Sequence, residues 1–330
     1  MQIDRFVQAR QADWKQLEQL VARSQRSASS LTLDEVKTLA SLYRAATSDL
    51  ALAQRDFPQH RVTFYLNQLV AQGHAVIYRS EPFSLNRFWR FIREGFPRAY
   101  REAWPFILVA SLLLLVPALM AAILTAWQPE TAQWLLPADA QHLIADIQRQ
   151  DLWTDIAFDK RPYASSFIMQ NNIQIAFLAF AGGVLAAVPT VLVLINNGLL
   201  LGAITGLTAH YGIGFDLWTF IIGHGVIELT VIGIAGGSGL ILGWAIISPG
   251  LLSRRDSLTL AARKAVRLII GCVPLLVLAG LIEGFLSPAE GIPWPVKWVV
   301  GIGSGVCLYS YLLLAGRPSR RERRLAALAQ

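Results

Sequence analysis

Between Pro162 and Phe215 the chain carries no Asp, Glu, Lys or Arg. A membrane-spanning helix takes roughly 20 apolar residues, so this stretch alone is long enough to cross a bilayer twice. The whole chain repeats the signal: 54% of its residues are hydrophobic and only 15% charged, against about 25% charged in ordinary soluble domains. The two cysteines, Cys272 and Cys307, lie in apolar segments and read as buried structural thiols, with no disulfide framework.

The first hundred residues follow other rules. Met1 to Pro105 holds 15 Lys and Arg against 10 Asp and Glu, and Ile3, Phe6, Val7, Arg10, Trp14, Leu17, Leu20 and Val21 form a stripe at helical spacing. Ser24 to Ser30 interrupts it. Thr32 and Glu35 then have capping-box spacing, predicting a second helix over 33–55. Pro58 opens a third through Arg79, with Val62, Tyr65, Leu66, Leu69, Val70 and Ile77 facing inward. Residues 1–80 are therefore expected to form a cytosolic helical bundle, with no signal peptide before it. Residues 84–103 read as an interfacial amphipathic helix. Arg87, Phe88, Trp89, Arg90 and Arg93 mark its contact with the bilayer, the arginines meeting anionic headgroups and the aromatics lying at headgroup level.

An all-α polytopic domain follows over 104–316. Phe106–Ala126 is the first span, with a kink expected at Pro117 and Trp104 and Trp127 as interface anchors. Residues 127–170 form an outer loop, with a short amphipathic helix around Asp139–Trp153. The second span is expected over Ile173–Ile195 and a short third, spanning or re-entrant, over Leu199–Tyr211. The fourth runs Asp216–Ile247, interrupted near Gly236–Gly239. Leu268–Leu286 and Val299–Leu314 make the fifth and sixth. Lys and Arg accumulate on the cytoplasmic side: Arg254–Arg267, within a cytoplasmic loop at 250–267, holds five basic residues and one acid, and Gly316–Gln330 the same, so that 317–330 is a basic tail. Residues 127–161 carry six acids and three bases. Both termini are thereby expected in the cytoplasm of a multi-pass inner-membrane protein. The net charge of +7 is then a positive-inside signature, and no nucleic-acid partner is expected.

Three intramembrane groups break the apolar pattern. His224 and Glu228 stand four apart and share a helix face; an ionisable residue at such depth costs about 2.5–3.5 kcal/mol on insertion scales. They read either as a proton, ion or substrate site or as a helix-joining network with Asn171, Asn172, Asn196 and Asn197. Glu283, near the outer end of the fifth span, reads as a solvated or capped carboxylate. A metal site is not expected, because one His and one Glu fall short of zinc's ligand set, and no cofactor motif occurs. Gly301-Ile302-Gly303-Ser304-Gly305 lacks the strand–turn–helix context of a nucleotide loop. Small residues four apart (Ala179, Gly183, Ala187; Gly198, Gly202, Gly206; Gly239, Gly243; Gly301, Gly305) predict close helix packing.

Taken in order, several blocks resemble the stage II sporulation protein M family of membrane proteins. They are Leu42-Tyr43-Arg44 with Ser48-Asp49-Leu50-Ala51, Tyr65-Leu66-Asn67 with His74 and Ile77-Tyr78-Arg79, and Asn171-Asn172 leading into Ala176 to Gly183. Asn197-Gly198 with Gly202, His224-Gly225 with Glu228 and Ala235-Gly236, and Ala279-Gly280 with Ile282 to Phe285 complete the set. Gly223 departs from the Pro expected in many relatives. The resemblance implies a scaffold in a membrane complex that remodels the cell wall, with longer relatives that look like companions of MoxR-type AAA ATPases and von Willebrand-type domain proteins. The leading expectation is a non-enzymatic membrane scaffold that forms homo-oligomers or joins partner proteins in the lipid bilayer. The alternative is a transporter or channel using His224 and Glu228.

Overall fold

The structure, a computed structural model, describes residues 3–26, 31–77, 84–152, 161–289 and 291–317, and no side-chain detail for 25, 26, 139 and 161–169. The predicted break through Ser30, the helix end at Arg79, Trp153 and the tail beyond Arg317 lie outside the described residues. The described chain is helical, without strands, and divides into two compact units, Met1–Ser84 and Leu85–Gln330.

The first unit packs α1 (Ile3–Arg26), α2 (Leu33–Asp56) and α3 (Arg61–Ile77) around one apolar core. The capping box forms as the spacing predicts: Thr32 Oγ1 accepts from the Glu35 amide and the Glu35 carboxylate accepts from the Thr32 amide. Trp14 is the hub. Its ring meets Phe6 and Tyr65, and its indole N–H donates to buried Asp49 at 2.9 Å. Arg10, read as part of the greasy stripe, instead reaches Asp49 at 3.6 Å. Ile77 is exposed rather than inward; near the end of α3 it is Gly73 that is buried, against the Tyr43 ring.

In the second unit the predicted interfacial helix is two pieces. α4 (Leu85–Arg90) buries no residue, and Trp89 is 60% exposed. A π-helical turn, Phe91–Gly95, then leads into α5 (Phe96–Glu102), where Phe96, Pro97 and Tyr100 are buried. Pro97 has no amide N–H to offer the preceding turn, a local reason for the widened turn. The second piece is thus docked on protein: Phe96 fills the space over Gly271, and the Tyr311 hydroxyl donates to the Ile92 carbonyl.

The spans follow. α6 (Trp104–Trp127) is continuous through Pro117. Beyond it, short α7 (Ala132–Leu135) and α8 (His142–Gln148) cover the loop. α9 (Arg161–Ala181), α10 (Val188–His210), α11 (Gly214–Ile247), α12 (Arg254–Phe285) and α13 (Trp294–Leu314) complete the bundle. Five of these, α6 and α10 to α13, are long and apolar enough to cross a membrane. α9 has 21 residues and runs beside them, but carries Gln170-Asn171-Asn172 and Gln174.

The second and third spans therefore divide elsewhere than expected. The break falls at residues 182–187, where a 3-10 turn (Gly182–Leu185) ends in two left-handed residues, Ala186 (φ 52°) and Ala187 (φ 63°). Pro189, in the first turn of α10 where no amide donor is needed, restarts the helix. Asn196-Asn197-Gly198 lies inside α10 instead, because the Asn197 amide donates back to the Val193 carbonyl at 3.1 Å. Residues 199–210 are thus the second half of a full-length span. Nor is α11 interrupted at Gly236–Gly239. In lipid, a broken backbone would leave polar groups without partners, and these glycines serve contact: Gly237 meets the Ile107 backbone and Gly239 the Ala179 carbonyl.

Registered contacts fix the helix directions. Gly198, Gly202 and Gly206 of α10 press against Leu114, Ala118 and Ala122 of α6, so these helices run parallel. Gly233 and Gly237 of α11 meet Ser111 and Ile107, antiparallel to α6. Gly301 and Gly305 of α13 meet Ile222 and Val226, parallel to α11. Cys272 is buried as expected, but Cys307 is exposed. Gly202→Ala would drive its Cβ into the Ala118 carbonyl and is expected to cost about 1–3 kcal/mol. Gly303→Ala, with open space around it, is expected to cost nothing. Thermal unfolding of both in mild detergent checks the contrast.

Candidate functional site

α11 is the central helix, with most of its length buried. That burial holds His224 (3% exposed) and Glu228 (6% exposed) within the bundle. At 1.5 Å rise per residue, His224 stands about 15 Å along the helix from Gly214, roughly half the hydrocarbon thickness.

Both line a cavity of about 240 Å³. α9 contributes Asn171, Asn172 and Ile175 to its wall, and α10 contributes Asn197 and Leu201. Asn172 donates from Nδ2 to Glu228 Oε2 at 2.7 Å, a charge-assisted bond of the stronger kind when the carboxylate is ionised. His224 Nε2 lies 3.9 Å from the same oxygen, too far for a direct hydrogen bond. On its other side Nδ1 meets Ser287 Oγ at 2.9 Å, and the Phe220 ring packs edge-on against the imidazole. The Lys297 ammonium donates to the Ser287 carbonyl at 2.7 Å. An imidazole placed between two polar partners can accept a proton on one nitrogen while releasing one from the other. The cavity lining thus combines amides, a carboxylate and an imidazole with Leu200, Ile204, Leu217, Trp218 and Ile221.

Of the expected residues, the structure brings together His224, Glu228, Asn171, Asn172 and Asn197. Asn196 does not join them; it is exposed and absent from the cavity wall. Glu283 departs most from expectation. It is 1% exposed, not solvated, and neither carboxylate oxygen has a hydrogen-bond partner among the described residues. It lies outside the cavity lining, four residues before Ser287. Ser287 was not legible as a site residue, because nothing in Leu286-Ser287-Pro288 distinguishes it from an ordinary helix end. Among the described residues no group of three His, Cys, Asp or Glu can hold a metal ion.

Fold and site together define a polytopic helical membrane protein with a partly polar cavity inside its bundle. Residues 110–288, more than half of the chain, match the family described as Stage II sporulation protein M, and the chain belongs to that family. Residues 4–79 match a domain of unknown function, DUF8413. No curated protein and no solved structure matches the chain.

Asn172→Ala leaves Glu228 without its donor and is expected to cost about 1–3 kcal/mol. Asn172→Asp is expected to cost more, since it sets a second carboxylate where the amide stood. Adding Glu228→Gln should restore most of that loss, because the new amide can donate; thermal unfolding across this double-mutant cycle measures the coupling.

Proposed function

We propose that the chain is a non-enzymatic assembly protein of the bacterial inner membrane, with both termini cytoplasmic and the bundle serving as a rigid framework for partner proteins or further copies of itself. The supporting observation is the unbroken, glycine-locked packing of α6, α10 and α13 against their neighbours, which gives a frame rather than a set of hinged half-helices. The resemblance set out from the sequence blocks implies the same role, with a MoxR-type AAA ATPase as the partner class. The first unit offers exposed Leu33, Val36 and Phe64 as docking side chains. Basic residues support this sidedness: Arg254, Arg255, Arg263, Lys264 and Arg267 fall in the first half of α12, while Glu130, Asp146 and Asp216 lie toward the other end of the spans. Crosslinking in native membranes, followed by purification of the tagged full chain, is expected to yield defined larger species. A chain that stays strictly monomeric and captures no partner would sink the proposal.

A second reading rests on the cavity. Its size and its mixed polar and apolar lining suit a small molecule with a hydrogen-bonding or cationic head and an apolar body, bound at Glu228, Asn172 and His224. Two features associated with transporters, a discontinuous α11 and a short third span, are absent from the described fold, so binding is better supported than alternating access. If the cavity admits polar solutes, Asn197→Cys, in a chain with both native cysteines replaced by Ala, should react with a small water-soluble thiol reagent. Asp216→Cys, on the exposed first turn of α11, serves as the labelled control. Labelling of the control without labelling at 197 counts against this reading.

A further inference from the structure

At the end of the bundle where α6 begins and α13 finishes, three guanidinium groups gather. Arg101 donates from Nη1 to the Leu312 carbonyl at 2.7 Å, and Arg317 from Nε to the Leu313 carbonyl at 2.8 Å. Both are thereby tied to the last turn of α13, whose open carbonyls carry partial negative charge. Arg98 lies three residues before Arg101 on α5 and is exposed. Partial burial, then the charges of Arg317 and Arg98, push the Arg101 guanidinium below its ordinary range, with only Glu102 opposing. Among the described residues no carboxylate pairs with any of the three.

A guanidinium has five N–H donors, and Arg101 and Arg317 each spend one on α13. The remaining donors form the planar forks that match phosphate oxygens. The location selects the source of that phosphate. Trp104 and Leu108, in the opening turns of α6, and Leu313 and Leu314, ending α13, are exposed, so apolar surface for acyl chains lies at the depth where the arginines sit.

We propose that Arg98, Arg101 and Arg317 form a binding site for the phosphate of an anionic phospholipid. The site is separate from the cavity and independent of both functional readings. Its charge comes from α5 and the residues that end α13, not from Arg87 and Arg90 on exposed α4 or from Arg93 in the π-helical turn. An anion bound there relieves the repulsion among three like charges and cross-links α5 to α13.

The test uses the full chain in a zwitterionic detergent, with native mass spectrometry and thermal unfolding after adding phosphatidylglycerol, phosphatidylcholine or inorganic phosphate. Phosphatidylglycerol is expected to be retained at least about tenfold better than phosphatidylcholine, since each nearby arginine favours an anionic surface severalfold. It should also raise the unfolding temperature, with inorganic phosphate at equal concentration leaving that temperature unchanged. Arg98→Gln with Arg317→Gln, which keeps the Arg101–Leu312 bond, is expected to remove most of the preference, and adding Arg101→Gln the rest. Equal retention of the two lipids, or a preference that survives the triple substitution, overturns the proposal. Stabilisation by inorganic phosphate matching that by phosphatidylglycerol overturns the lipid assignment.

Discussion

The absence of a side chain at Gly198, Gly202 and Gly206 lets α10 rest on the backbone of α6, and much of the second unit depends on that approach. A Cβ at any of the three would overlap a carbonyl oxygen of α6. Between lipid-facing helices there is little hydrophobic force to gain, because the bilayer is as apolar as leucine. Association must come from van der Waals contact at short range and from hydrogen bonds between helices. The close approach supplies both: Thr125 of α6 donates to the Ala203 carbonyl of α10 at 3.2 Å, and the His210 ring meets the Ala126 carbonyl at 2.9 Å. α11 repeats the device, with Gly237 on the α6 backbone and Gly239 on the Ala179 carbonyl.

Once backbones are this near, polar side chains between them find partners at helix depth. Thr190 donates to the Ala179 carbonyl at 2.7 Å, which ties α10 to the end of α9. Asn172 reaches Glu228 in the same way. The cavity opens where α9 exchanges apolar residues for Asn171 and Asn172, so the helix least suited to lipid adds two amides to the lining that Asn197 of α10 and His224 and Glu228 of α11 complete.

The sequence made part of this legible. Periodicity located the helices of the first unit, the capping box placed the start of α2, and the i, i+4 spacing put His224 and Glu228 on one face. Composition could not locate the turn between α9 and α10. Asn196-Asn197-Gly198 has the residue types of a turn, yet in lipid an asparagine amide can be satisfied by its own helix, as Asn197 is. The true turn uses two alanines in a conformation that alanine rarely adopts, which no propensity scale would select. Glu283 misled for another reason. Distance along the sequence from the end of a span measures depth only if neighbouring helices end level, and α12 finishes beside His224, well inside the start of α11.

α11 is encased by its neighbours, with 78% of its most apolar window buried, against 22% for α6 and for α13. The outer helices therefore meet the hydrocarbon, while the central one is shielded from it. A bilayer that thickens or thins presses first on α6 and α13, which can accommodate by tilting. His224 and Glu228 sit on the shielded helix, the one that such a deformation reaches last.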